Sequence, residues 1–557
     1  MMISFPASII AQFPTIINSK MKEASLCMRN DLKEEALTAS SHYIPVVIEQ
    51  YCRNGDAYIT DDRLYEVCRT EKKGLTHDVY LRDLREQFAL GLLHQEGPRI
   101  YTHNTWLCEE TAARKLAELQ KDNDYRNPHL RAASETSGGN VLSVEQQNAV
   151  DMGLSHRLSL ILGGAGTGKS TLIRAIVDRY PGFDYVICAP TGKAARNLSE
   201  RTKLRARTVH SACGLRPDDD FEPAVQWSQT GLVIVDEASM LSVELLAHVL
   251  CRMPKTCNLV LIGDPNQLQS VGPGNVIPDL LALGFPASML TENYRQSTGA
   301  PSLFSNVFHF NERSSFKELE WDEGFQFIPV EDEKLAKYIA ELAANHYLSR
   351  DNSQVLTTYN KSTEFSVMRL NPMVRELVNP MQPGKLVISD GSRLFRDGDR
   401  VMITKNDRER DCNNGDVGEL HISSVEPTTK WKWDRKKEEH VKVTVDVFNF
   451  SVDLGDGRRP SWDGLEAKQA LLLMELAYVI TVHKSQGSQY DTVFFPMSMQ
   501  MQNMLSRNLF YTAISRATRR VCILGSIQAV DVAMQRTLPP RKSALVQKTQ
   551  MKALEVA

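Results

Sequence analysis

The chain is 557 residues long, and no apolar run in it approaches the roughly 20 residues that a membrane-spanning helix needs. It has ten cysteines but no Cys-x-x-Cys pair, which argues against a zinc ribbon or a dithiol redox centre. Cys188 in "YVICAPT" and Cys522 in "RVCILG" sit in strand-like runs and read as reduced, packed thiols. Excess positive charge is missing too: 65 Lys and Arg stand against 68 Asp and Glu, a formal charge of −3. Any nucleic acid would therefore have to be held by a local groove. The opening "MMISFPASIIAQFPTIINSKM" has no basic leader and is broken by Pro6, Pro14 and Asn18, so the expectation is a cytoplasmic protein that does not engage a membrane. There is no repeat of solenoid type. The length and ordinary globular composition imply three or four domains.

The strongest positive signal is "LSLILGGAGTGKSTLIRAI", an apolar strand running into a glycine-rich loop and then a helix-like segment. Gly163, Gly164, Ala165, Gly166, Thr167, Gly168, Lys169, Ser170 and Thr171 form a P-loop in its required context. The glycines let backbone N–H groups curl around phosphates, Lys169 supplies charge, and the Ser170 hydroxyl suits Mg²⁺. A second strand, "GLVIVDEASML", ends in two carboxylates. Asp236 there is placed to hold the Mg²⁺ water shell and Glu237 to orient and deprotonate an attacking water, which favours ATP hydrolysis. A third, "CNLVLIGDPNQLQSVGPG", presents the neutral amide of Gln267, which can touch both the γ-phosphate and a polymer. Arg295 in "LTENYRQS" and Arg516 in "NLFYTAISRATRR" are guanidinium donors for transition-state charge.

In sequence order, "LSVEQQNAV", "GGAGTGKST", "APTGKAA", "TVHSACG", "VIVDEASM", "GDPNQLQSVGPG", "ENYRQ", "TVHKSQGSQYD" and "LFYTAISRA" resemble the motifs of superfamily 1B DNA helicases of the RecD-like branch, over about residues 140–526. The resemblance implies an α/β fold of two RecA-like parallel-sheet motor domains, with an SH3-like β insertion and a mainly helical N-terminal accessory domain. It implies an ATP- and Mg²⁺-dependent motor moving 5′ to 3′ on single-stranded DNA and opening 5′-tailed duplex. By that likeness Gln146 reads adenine, with Gln147 as the alternative register, and Gly487 and Gln489 face the nucleotide. Thr191, Thr208 and His210 in the first motor domain, and Thr481 and His483 in the second, face the DNA backbone. The stretch "AYVITVHKSQGSQYDTVFFP" breaks its apolar run with polar residues because two ligands meet at that loop.

The expected boundaries are a helical, winged-helix-like accessory domain at 1–130, the first motor domain at 131–290 and the second at 291–394 and 471–530. A short insertion lies near 214–230, the SH3-like insertion at 395–470 and a mobile tail at 531–557. The accessory domain is a place for a protein partner. The insertion near 214–230 is acidic, and its Trp227 is the one large ring available to stack on a base as part of a strand-separating pin. In "KWKWDRKKEEH" the acidic residues dilute the basic ones, so a solvated hairpin tip is expected. The chain departs from the family pattern at Gln489, where Glu is usual, and in "SQVLTTYNKSTEFSVMRLNPMVRELVNP", which lacks the glycines usual after its strand. Two other functional classes stay open: a translocase subunit that needs a partner to unwind, and a non-motor P-loop ATPase.

Overall fold

A computed structural model describes residues 43–124, 136–137, 140–180, 184–215, 227, 229–294, 300–349, 351–407, 409–434 and 439–556. Arg295 and residues 216–226 lie outside the described residues, so the second arginine-finger candidate and most of the expected pin are not placed. Among the described residues, no helix is long and apolar enough to cross a membrane.

The N-terminal region is mainly helical. Helices Tyr43–Tyr51, Asp61–Glu71 and His77–Ala89 precede a hairpin of strands Leu93–Glu96 and Arg99–Thr102, the order of a winged helix. Tyr43, Val47, Leu64, Tyr80, Leu84 and Ile100 fill its core. Helix His103–Lys121 then packs against helix Val243–Arg252 and joins this region to the first motor sheet.

That sheet has six parallel strands in the order Ala287–Leu290, Leu158–Gly163, Asn258–Gly263, Leu232–Val235, Tyr185–Ala189 and Ala206–Thr208. Its central strands are buried at every position, as near-continuous Leu, Ile and Val runs covered on both faces require. All their carboxyl ends open on one edge, where ligands of such sheets bind.

The second sheet, of five parallel strands, runs Phe325–Pro329, Ala517–Gly525, Tyr490–Met497, Ser353–Thr357 and Val479–Thr481. Asn371, from the glycine-poor segment, exchanges two hydrogen bonds with the Val479 backbone at 2.8 and 3.0 Å and so ties its helix to this sheet. Between the two halves lies an antiparallel sheet of five strands, Ser461–Trp462, Glu439–Asp453, Val417–Asp434, Arg400–Ile403 and Met474–Leu476. Gly415, at a φ of +93°, makes the turn of its Asn-Gly-Asp sequence.

Two expectations fail. Trp227 is not an exposed stacking ring: it is buried in the first motor core, with its indole N–H donating to the Ala212 carbonyl at 3.2 Å. The indole is the largest apolar group in that stretch, and burying it beats leaving it on an acidic tip. Nor is the C-terminus a loose end. Helix Ile527–Gln535 packs on the second motor domain, and helix Leu545–Val556 packs along helix His103–Lys121. Leu545 and Thr549 are fully buried there, and Lys548 lies 3.1 Å from Glu96 and 3.5 Å from the buried Glu109. An amphipathic face and a buried ion cluster outweigh the polar composition that suggested mobility.

Candidate functional site: a cleft between two motor domains

The P-loop leaves strand Leu158–Gly163 and enters helix Lys169–Arg179 through Gly166 and Gly168, both in the left-handed region at φ +91° and +81°. Side chains are disfavoured in that conformation, which explains the glycines. A Cβ on Gly163 would come 2.6 Å from the Thr167 hydroxyl, so that glycine is needed for packing instead. Lys169 Nζ donates to the Gly163 and Gly164 carbonyls, both at 2.7 Å, which keeps the ammonium over the loop mouth.

This loop forms one wall of a cleft of about 380 Å³. Asp236, Glu237 and Gln267 come to it from the ends of the neighbouring strands, and Gly487, Gln489 and Arg516 face them from the second motor domain. Burial, and then the charge of Glu237, push the Asp236 carboxyl upward, while Lys169 and Arg201 pull it back. A half-buried carboxylate lining the same cleft as the Ser170 hydroxyl is a donor set that fits Mg²⁺. Glu237 holds a left-handed backbone, φ +52°, uncommon for a residue with a side chain and typical of functional positions. The Gln267 Oε1 atom is buried without a hydrogen-bond partner among the described residues, an acceptor aimed at the cleft. Gln146 sits beside Gly168 and Tyr294, next to the cleft but not among the residues that line it. Its own Oε1 accepts from Ser143 N at 3.2 Å in a capping box, so its amide is also structural.

Sequence reasoning missed the residues that join the two walls. Tyr511, from the second motor domain, donates its hydroxyl to Asp264 at 2.8 Å and accepts from the P-loop amide of Ala165 at 3.2 Å. Burial beside Asp264 drives the phenol pKa well up, so it stays a donor. On the same helix, Asn508 donates to the Asn266 carbonyl at 3.0 Å and the Thr512 hydroxyl accepts from Leu268 N at 2.8 Å. Arg201 donates to Gln489 across the cleft, and Asn197 donates to the Gly487 carbonyl. The sequence signal for Tyr511 was its place five residues before Arg516 on one motif; Arg201 carried none.

The polymer-side candidates divide. Thr208 and His210 line an open groove of about 1150 Å³ together with Arg205, Arg207 and, from the SH3-like insertion, Lys405 and Asn406. Thr191 does not itself line this groove; it caps helix Gly192–Thr202, whose Gly192 does, accepting from Ala194 N at 3.2 Å, and Thr208 caps its own short helix, accepting from Ser211 N at 3.0 Å. The insertion touches the groove wall where Arg196 meets Asp456 at 3.2 Å. Thr481 and His483 do not line this groove. Thr481 is buried and accepts from Lys484 N at 3.2 Å. Burial and the nearby Arg541 charge hold His483 below its ordinary value, hence neutral.

A P-loop on one parallel sheet, faced by an arginine and a polar loop from a second, is the arrangement of a P-loop nucleotide cleft set between two α/β domains. Comparisons with known proteins sharpen this. An AAA domain matches residues 141–320, the SH3 domain of ATP-dependent RecD-like DNA helicases matches 370–445, and a UvrD-like helicase C-terminal domain matches 476–524. The ATP-dependent RecD2 DNA helicase of Deinococcus radiodurans is 33% identical over 418 residues, covering 73% of this chain and 52% of that protein. The RecBCD enzyme subunit RecD of Mycolicibacterium smegmatis is 27% identical over 513 residues, covering 82% and 84%. A Bacteroides Pif1 structure bound to ssDNA aligns with 75% of this chain and 98% of its own, at 17% identity and a TM-score of 0.41. The chain thus shares its SH3 domain with RecD-like DNA helicases and is similar to RecD2 and RecD relatives over most of its own length. It spans about half the length of the Deinococcus relative.

Proposed function

We propose that the protein is a cytoplasmic ATP- and Mg²⁺-dependent motor that moves 5′ to 3′ on single-stranded DNA and unwinds 5′-tailed duplex. The observation that supports this best is the shared loop 267–268: Gln267 lines the nucleotide cleft, while Leu268 is held by Thr512 and Gln486 of the second motor domain. Whatever moves at the γ-phosphate is thereby felt by the domain that would grip DNA.

Ser170 and Asp236 would hold Mg²⁺, which would neutralise phosphate charge. Lys169 and the loop amides seat the β and γ phosphates, Glu237 takes the proton of the attacking water, and Arg516 stabilises the transition-state charge. Arg205, Arg207 and Lys405 flank Thr208 and His210 and give the groove its affinity for phosphates without reading bases. The test is unwinding of duplexes carrying a 5′ or a 3′ tail. Opening from the 5′ tail alone supports the reading, and opening from the 3′ tail alone contradicts its direction.

A second reading draws on the relatives named as RecBCD subunits, which this chain matches over about four fifths of their length. Under it the chain translocates but unwinds only with a protein partner, docked through the N-terminal region. Stimulated hydrolysis without unwinding by the isolated chain selects this reading.

A further inference from the structure

The segment between the last two helices connects bodies that a motor must move relative to each other. At its start, the Arg536 carbonyl accepts from Arg507 N at 2.9 Å on the second motor domain. At its end, Ser543 donates to Asp279 of the first motor domain at 2.7 Å and to Glu109 of helix His103–Lys121 at 3.1 Å. Residues 537–540, Thr-Leu-Pro-Pro, are exposed between these anchors, and two consecutive prolines make the link stiff.

Arg541 follows directly and turns inward. One guanidinium nitrogen, Nη1, donates to the Ser270 hydroxyl at 2.9 Å and to the carbonyls of Gly272 at 3.3 Å and Gly274 at 3.2 Å; the other, Nη2, donates to the Ser270 carbonyl. A guanidinium gathering carbonyls from one loop fixes that loop's shape. The loop is the continuation of Gln267 and Leu268. Its far side is held by the N-terminal region, where Gly274 N donates to the Gly55 carbonyl at 2.8 Å. The strap itself is pinned there too: Lys542 N donates to Asp56 at 2.8 Å, and Ala57 N to the Lys542 carbonyl at 2.7 Å. Gly55 leaves the room this needs, since a Cβ on it would lie 2.0 Å from Arg541 Cζ. Gln486, three residues after His483, donates to the Leu268 carbonyl at 3.2 Å, so the same loop meets the segment that carries one of the residues expected to face DNA.

We infer that Arg541 is a positioning residue: from the C-terminal strap it sets the 270–274 loop against the His483 loop and so tunes how single-stranded DNA drives turnover at the cleft. This rests on the motor reading above. It adds that the N-terminal region and the C-terminal strap act together on DNA coupling, through one half-buried guanidinium that does not line the nucleotide cleft.

The test compares the full chain with Arg541→Ala, Arg541→Lys and Gly55→Ala by two readouts. The first is hydrogen exchange at the amides of Val271, Gly272 and Gly274. The second is the ssDNA and ATP concentrations that half-saturate hydrolysis. Arg541→Ala and Gly55→Ala are expected to speed exchange at those amides and raise the half-saturating ssDNA concentration about tenfold, the scale of one lost charge-assisted hydrogen bond. The half-saturating ATP concentration should stay put, and Arg541→Lys should recover part of the loss. Unchanged exchange and unchanged DNA response in Arg541→Ala overturn the inference, as does an equal weakening of ATP and DNA responses. If Arg541→Ala does not fold, Arg541→Lys decides alone: it keeps the charge but not the fork, so a DNA response identical to the parent's overturns it. A parent that shows no DNA stimulation sinks the motor reading, and the exchange comparison still decides whether Arg541 positions the loop.

Discussion

The nucleotide cleft and the polymer groove were read from the same row of motifs, yet they are built differently. In the cleft, Lys169, Asp236, Glu237, Gln267 and Arg516 converge on one space. On the polymer side, the expected contact residues are mostly committed elsewhere. Thr191, Thr208 and Thr481 each spend their hydroxyl on a nearby backbone amide, and Thr481 and His483 do not line the groove. A small ligand of fixed charge needs side chains aimed at fixed points. A phosphate backbone needs a shaped track with cations along it, and the motif threonines serve to shape the helix ends that make that track.

The largest effect should come from breaking the cleft. Lys169→Ala removes the motif ammonium over the P-loop and should lower kcat for ATP by about a hundredfold or more, measured by steady-state phosphate release. A retained rate would mean the cleft is not the catalytic site. Next, Tyr511→Phe deletes the hydroxyl shared by Asp264 and Ala165 N and leaves a buried carboxylate short of a donor. The expected cost is about 1–3 kcal/mol of stability, read by denaturant unfolding, together with slower hydrolysis. A Tyr511→Phe protein as stable and active as the parent would show that the two walls are joined in some other way.

The groove side of the contrast is sharpened by pairing two variants. Arg205→Ala with Arg207→Ala should flatten the dependence of log K for ssDNA on log salt by about 1.4, roughly 0.7 for each phosphate that the protein no longer neutralises. Thr208→Val should leave that slope alone and cost about 1 kcal/mol of stability through removal of the N-cap. The reverse pattern would return the recognition role to the threonine. Gln489→Glu is expected to matter least. It replaces the hydrogen bond from Arg201 to a neutral amide with an ion pair to Arg201, which is exposed, so the half-saturating ATP concentration should fall by a few-fold at most.

What was legible follows from how local each signal is. The P-loop, the Asp236–Glu237 strand end and the alternation of apolar strands with helices are each written within about twenty consecutive residues, and both parallel sheets follow from them. The SH3-like insertion was legible through its Asn-Gly-Asp turn. Tyr511 with Ala165, Arg201 with Gln489 and Arg541 with Ser270 were not, because each pair is separated by 270 or more residues and only the docking of one domain on another brings it together. Trp227 and the C-terminal helix were misread for a common reason. Polar neighbours dominated the local composition, while a single large ring, or the buried positions Leu545, Lys548 and Thr549 on one face, decided the burial.

The most direct measurement of the central claim is ATP hydrolysis by the purified chain titrated with single-stranded DNA, with Lys169→Ala as the control for contaminating activity. A motor whose cleft is tied to the second domain through the 267–268 segment predicts a saturable rise in kcat that is absent in the control. Hydrolysis that is Lys169-dependent but indifferent to DNA would contradict it and leave a P-loop ATPase that is not driven by a track.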